Sequence, residues 1–289
     1  MRRIPFVHVD VFTDQPLCGN GLTVFTRAHE LSDAEMAALA RETRQAETTF
    51  VIQPPGSAPT RARVRIFTPA EELPFAGHPT LGTAAVLHTT TTRDEIVLEL
   101  GVGPIPVRFE PRAGHAFGEM RQNDPVLGEI LPAADVARAA NLEVADLDPK
   151  LPARRSSTGL PFIMVPLRDR SVLKRVRPTP ASMEALLART GAHGLYLVAP
   201  GEEAGVHLHA RMFDPYAEDP ATGSAAGACT GWMLAHGVLA PGARAVIAQG
   251  DEIQRPSRIH VRGALDGTRP TDIRVGGSVI EIARGEVTL

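Results

Sequence analysis

Apolar positions follow two rhythms along this chain, an alternating one that predicts strands and a three-to-four spacing that predicts helices. Residues 4–12 and 22–26 are rich in β-branched and aromatic side chains and read as strands. Residues 32–43 switch to helical spacing, with Met36, Leu39 and Ala40 on one face and Ser32 with Glu35 as a capping box at the start. Strands are expected near 47–52 and 61–67, then a helix near 79–89, then strands to about residue 121. The second half runs through the same series, with a helix at 181–190, strands near 195–199 and 206–213, a helix at 223–236 and strands to the end.

Two of these helices differ from the rest. Residues 80–87 (TLGTAAVL) and 223–235 (GSAAGACTGWMLA) carry small or apolar side chains on every face. Such a helix has no side to offer water and is enclosed all round. With about a dozen strands and only two such helices, the economical arrangement is a strongly curved, mostly antiparallel sheet wrapped around one central helix in each half. The fold class is α+β, with two pseudo-symmetric lobes.

The symmetry is visible residue by residue. Slid by 146 positions, 65–77 (RIFTPAEELPFAG) lies over 211–223 (RMFDPYAEDPATG), and Arg65/Arg211, Phe67/Phe213, Pro69/Pro215, Glu72/Glu218, Pro74/Pro220 and Gly77/Gly223 are identical. A shift of 147 pairs Met36 with Met183, Leu39 with Leu186 and Val51 with Val198. The offset is half of the 289 residues. The first lobe is read as 1–117 and the second as 118–276, with a crossover in the Gly/Pro/polar stretch 111–125 and the last strand, 277–289, a candidate to return to the first lobe.

Composition narrows the function classes. The net charge is −3 and the 28 Arg and 2 Lys are scattered, so neither nucleic acid nor an anionic membrane is implied as a partner. No apolar stretch approaches the roughly 18 residues of a membrane span, which leads to the expectation of a soluble cytoplasmic protein. Cys18 and Cys229 are the only cysteines, too few for a disulfide framework or a zinc ligand set. His207 and His209 alternate on one strand face without an evident third ligand, so no metal is assigned.

Candidate chemistry gathers at the two enclosed helices. Each begins at a glycine, Gly77 and Gly223, and so offers unbonded backbone N–H groups and a positive dipole end, a seat for a carboxylate or an enolate beside it. Asp219 before Pro220 has the form of an N-cap with proline in the first helical position, and Ser224 is a possible cap of the same helix. His78 lies between a glycine and a proline, and Glu47 opens a strand. At the 147 offset Glu47 falls opposite Gly194, and at 146 His78 falls opposite Ser224, so the lobes share a scaffold but differ in polar groups.

Several segments carry a family resemblance. Residues 10–20 (DVFTDQPLCGN), 46–51 (AETTFV), 72–82 (ELPFAGHPTLG), 211–215 (RMFDP) and 218–225 (EDPATGSA) are similar to the phenazine-biosynthesis PhzF-like isomerase family, as are Gln249-Gly250, Arg255-Pro256-Ser257 and Val275-Gly276-Gly277. The resemblance spans essentially the whole chain. It implies the diaminopimelate-epimerase-like fold, a homodimer, no cofactor, and a small substrate bearing a carboxylate. It also implies proton transfer by Glu47, contact and relay through His78, Asp219 and Ser224, and backbone N–H groups from Gly77 and Gly223. The namesake reaction isomerises trans-2,3-dihydro-3-hydroxyanthranilate.

Two rivals follow from the same residues. Cys18-Gly19-Asn20-Gly21 resembles the C-G-N-G of two-thiol amino-acid epimerases, with Cys229 as the second thiol. In those enzymes the thiols stand at the starts of the central helices, positions held here by Ala76 and Thr222, and Cys229 lies deep in its helix. The other rival is a small-acid-binding protein that keeps the fold without catalysis.

Overall fold

The computed structural model describes residues 1–53, 60–112 and 115–289. Positions 113 and 114 of the expected crossover lie outside the described residues. The chain divides into two compact units, one formed by Met1–Arg121 with Gly276–Leu289 and the other by Gln122–Val275.

In the first unit β1 (Arg3–Val11) pairs antiparallel with β2 (Asn20–Phe25). A crossover through α1 (Asp33–Thr43) returns to β3 (Thr48–Ile52), parallel to β2. The expected capping box is present, with Ser32 accepting from the Glu35 N–H and Glu35 accepting from the Ser32 N–H. β4 (Arg61–Phe67) runs antiparallel to β3 and pairs with the two-residue β5 (Glu72–Leu73). After α2 (Gly77–His88), β6 (Glu95–Leu100) lies parallel to β4, and β7 (Gly103–Arg112) and β8 (His115–Arg121) follow antiparallel.

The second unit repeats the order. β9 (Val126–Ile130) pairs with β10 (Arg154–Ser157), and β10 with β11 (Pro161–Pro166). Between β9 and β10 stands α3 (Ala133–Ala140). α4 (Arg170–Arg175) and α5 (Pro180–Thr190) lead to β12 (Gly194–Pro200), parallel to β11. β13 (Leu208–Phe213) is antiparallel to β12 and pairs with β14 (Glu218–Asp219). α6 (Gly223–Ala235) follows, then β15 (Arg244–Gln249), parallel to β13, and β16 (Ser257–Asp266), antiparallel to β15. The 20-residue β17 (Arg269–Thr288) begins in this unit and ends in the first, where it pairs with β1 from Val11↔Val279 to Arg3↔Thr288.

The ladders of the two units match in register. Thr48 stands opposite Phe67 as Leu195 stands opposite Phe213, and Ala62 opposite Leu98 as Leu208 opposite Ile247. Equivalent positions therefore differ by 147 through β3/β12, by 146 through β4/β13 and by 149 through β6/β15. Both enclosed helices behave as their composition requires, since every residue of α2 from Gly77 to Leu87 is buried, and in α6 all but Ser224 and Ala235 are. This is the α+β arrangement expected from the sequence, with one enclosed helix in each of two repeated units.

The repeated motif has a structural cause. Arg65 grips Glu72 through two bonds, Nε to Oε1 at 2.7 Å and Nη2 to Oε2 at 2.6 Å, and stacks over Phe67 at 5.0 Å. Arg211 repeats the clamp on Glu218 at 2.8 and 2.6 Å and stacks over Phe213 at 4.7 Å. Each clamp ties a central strand to the short strand that feeds its enclosed helix, and so fixes where that helix begins.

Candidate active site

α2 starts two residues earlier than its apolar pattern suggests, taking Gly77 and His78 into its first turn. Pro79 is tolerated there because N–H groups of a first turn have no intrahelical acceptor. The N-cap is Ala76, so no side chain caps the helix, and Thr80 bonds back to the Ala76 carbonyl through both N–H and hydroxyl. The helix start thus keeps a dipole end that no side chain caps.

His78 is buried at this start. Its Nδ1 lies 3.2 Å from the Asn20 amide nitrogen, and its Nε2, which has no hydrogen-bond partner among the described residues, lies 3.5 Å from Glu47 Oε2. Burial pushes the imidazole down to about 3, opposed by a hydrogen bond with the Gly21 backbone. The ring is therefore neutral at ordinary pH, and its contact with Glu47 joins a carboxyl group to a neutral imidazole. Glu47 sits one residue before β3, its side chain 18% exposed. Glu47, His78 and Gly77 are thus brought together. Asn20, quoted in the amino-terminal motif but given no role, belongs with them.

In the second unit Asp219 is not the N-cap that the Asp-Pro sequence suggests. Pairing of Glu218 and Asp219 with Phe213 and Met212 holds them extended in β14, so α6 begins only after Thr222, which is the N-cap. The Thr222 hydroxyl donates to Asp219 Oδ2, so the aspartate reaches the helix start through threonine. Ser224 is the second helical residue rather than the cap, and no side chain caps α6. Gly223 opens the helix, its carbonyl accepting from Gln122 Nε2 at 3.0 Å.

A buried carboxamide, Gln249, holds the turn between Asp219 and α6. Its Nε2 donates to the Asp219 carbonyl at 2.8 Å and to Thr222 Oγ1 at 3.0 Å. Its Oε1 accepts from the Thr222 N–H at 3.2 Å and from the Tyr196 hydroxyl at 3.1 Å. Gly250, with φ +81°, is irreplaceable beside it, because a Cβ would fall 2.3 Å from the Arg255 carbonyl and 2.6 Å from that of Pro220. Tyr196 carries no local sequence signal, Thr222 is marked only by its place in the 218–225 motif at the start of the second central helix, and Gln249-Gly250 is visible only as part of the family pattern.

The remaining candidates fall away from these sets. Cys229 is buried in α6 and burial pushes its thiol up, while Cys18 follows β1 with intermediate exposure. His207 accepts from the Val246 N–H at 3.1 Å. His209 does have acidic neighbours, contrary to the expectation of no third ligand, since donor atoms of Glu203, His209 and Asp251 lie within 4.8 Å of one another. Arg170 and Arg258 bridge both carboxylates, at 3.0 and 3.1 Å and at 3.3 and 3.4 Å, so the cluster is charge-balanced by guanidinium groups.

A carboxyl group against a neutral imidazole, at an uncapped helix start able to receive negative charge, has the makings of a general acid and base set. Comparison with known proteins places the chain in a family of isomerases. The family described as phenazine biosynthesis-like protein matches residues 9–285. The trans-2,3-dihydro-3-hydroxyanthranilate isomerase of Pseudomonas aeruginosa is 34% identical, over 98% of this chain and 99% of its own length. Among solved structures, a predicted epimerase of Pseudomonas aeruginosa superposes with a TM-score of 0.85 at 39% identity, covering 99% of each chain. A PhzF-family phenazine biosynthesis protein of Bacillus anthracis gives 0.88 at 26% identity over 100% of both. A probable proline racemase of Agrobacterium radiobacter, at 13% identity and 0.65 over 99% of this chain and 93% of its own, shares the fold.

Proposed function

The chain belongs to the phenazine biosynthesis-like family and is an isomerase, and from that premise we propose that it moves a proton on a small amino or hydroxy acid without a cofactor, using Glu47 as general base and then general acid. Glu47 takes the proton from an acidic C–H, the electron pair left behind spreads into the conjugated system and carboxylate of the substrate, and the same carboxyl group returns the proton at another carbon. No net proton is gained or lost. Neutral His78 supports the exchange from 3.5 Å. Backbone N–H groups at Gly77 and Gly223, with Ser224 and Asp219, bind the polar groups on which charge develops.

The observation that carries the reading is Glu47 against a buried imidazole that stays neutral, at an uncapped helix start. The substrate proposed first is trans-2,3-dihydro-3-hydroxyanthranilate, on which the Pseudomonas relative is named to act. The test is incubation with this compound in deuterated water, comparing wild type and Glu47→Gln by mass spectrometry. Wild type is expected to isomerise it with solvent deuterium incorporated, and Glu47→Gln to lose at least about a hundredfold in rate. Equal turnover by both would remove Glu47 from its role, and no turnover by wild type would reject this substrate.

A further inference from the structure

The carboxamide of Gln249 raises a question of proton bookkeeping that the two backbone groups beside it answer. The Thr222 N–H can only donate and the Asp219 carbonyl can only accept, so Oε1 must face the first and Nε2 the second. With the amide fixed in this sense, its second N–H is given to Thr222 Oγ1. A hydroxyl that is accepting there has its single proton left for its other partner, Asp219 Oδ2. At the far end the Tyr196 hydroxyl has Oε1 as its one hydrogen-bond partner among the described residues, and burial keeps the phenol protonated and hence a donor. Every hydrogen-bonding position of the carboxamide is used, and every bond in the run Tyr196, Gln249, Thr222, Asp219 points the same way.

We propose that Gln249 is a positioning residue for Asp219, orienting the Thr222 hydroxyl so that it always donates to Oδ2 and holds the aspartate as an ionised, fixed acceptor toward the substrate. The inference rests on the role proposed for Asp219. Its independent support is the duplication. The positions equivalent to Asp219, Thr222 and Gln249 in the first unit are Leu73, Ala76 and Leu100, and the equivalent of Tyr196 is Thr49, which bonds instead to Thr83 at 2.8 Å. The same strand, turn and helix are thus built in the first unit with apolar side chains at three of the four places. The fold does not demand the network, and a buried polar network is an exposed liability unless every member is satisfied. A function at Asp219 accounts for keeping it.

The test reads the aspartate directly. Protein labelled with carbon-13 at the aspartate carboxyl groups is titrated by NMR, and the Asp219 signal is assigned as the one missing in Asp219→Asn. Losing a donor to a carboxylate raises its midpoint, so Gln249→Met and Thr222→Val are each expected to move it up by about one pH unit, with Thr222→Ser restoring it. If Gln249→Met does not fold, the Thr222 pair alone decides. In turnover of trans-2,3-dihydro-3-hydroxyanthranilate, Gln249→Met and Thr222→Val are expected to lower kcat by about tenfold or more, to leave KM within about twofold, and to shift the acid limb of the kcat profile in step with the NMR midpoint. An unchanged Asp219 midpoint in both folded variants overturns the inference. Wild-type turnover by Asp219→Asn would instead overturn the role of Asp219, and the two failures are told apart by the titration, which needs no substrate.

Discussion

His78 sets a pH limit on the folded chain, apart from the chemical role proposed for it. Burial holds the imidazole down to about 3, against an ordinary value near 6.5, so the native state refuses a proton that the unfolded state accepts. The sign follows directly. Above pH 6.5 neither state is protonated at this position and the group leaves stability unchanged, whereas between 6.5 and about 3 stability falls as the pH falls. At pH 4.5 the loss from this residue is about 2–3 kcal/mol relative to pH 7.5. Urea unfolding at the two pH values is expected to show that much extra loss in wild type over His78→Gln. Equal losses in the two proteins would mean that the imidazole titrates like a solvated one. Such a cost accords with the proposal that the imidazole is kept neutral for proton transfer beside Glu47.

At the scale of elements, the two arginine clamps form an internal experiment. Their geometry is the same but their surroundings differ, since the side chains of Arg211 and Glu218 are 3% and 11% exposed and those of Arg65 and Glu72 are 19% and 42%. Arg211 also donates to the Leu173 and Val176 carbonyls at the end of α4. Breaking the enclosed clamp strands a buried guanidinium, so Glu218→Gln is expected to cost about 3 kcal/mol in urea unfolding. Glu72→Gln leaves its arginine partly hydrated and still paired with Asp33, and should cost under about 1 kcal/mol. Similar costs for the two would show that burial does not govern the clamp. These clamps also explain what was legible in the sequence. Arg, Phe and Glu recur at fixed spacing because three side chains make one object, and the enclosed helices declare themselves because no face of theirs is polar. α3 and α4 left no such mark, being 8 and 6 residues long, and α3 starts at Pro132 without a side-chain cap. Glu47, His78, Gly77, Asp219, Gly223 and Ser224 are legible as candidates through family motifs; Thr222 and Gln249 lie in such motifs too, but that they meet each other and Tyr196 depends on the pairing of distant strands. The capping form that Asp219-Pro220 offers is not realised, because β14 pairing, invisible locally, overrides the Asp-Pro preference.

The duplication also explains, at the scale of the whole molecule, why one half carries the glutamate. Gly194, the counterpart of Glu47, lies so close to β13 that a Cβ would meet the Phe213 carbonyl oxygen at 2.6 Å. Backbone cannot move aside as a side chain can, so Gly194→Ala is expected to destabilise by about 1–3 kcal/mol, and a second carboxylate could not be accommodated there. The chain then closes on itself through β17, whose last part completes the first unit. Val279 pairs with the fully buried Val11, and the ladder continues to Thr288 opposite Arg3. Since the first unit cannot finish its sheet until residue 279 onward has arrived, its completion depends on contacts between the two ends of the chain, which are costly to close. Deleting 276–289 would leave β1 with an unpaired edge and expose Val9 and Val11, so this truncated protein is expected to lose soluble yield and its cooperative thermal transition. Deleting only 287–289, which removes the pairs of Arg3 and Ile4 and the two Arg2–Leu289 backbone bonds at the end of the ladder, should lower the melting temperature by a few degrees and no more. A 276–289 deletion that melted like the full chain would show that β1 holds its place without β17, and the closing role assigned to the last strand would be lost.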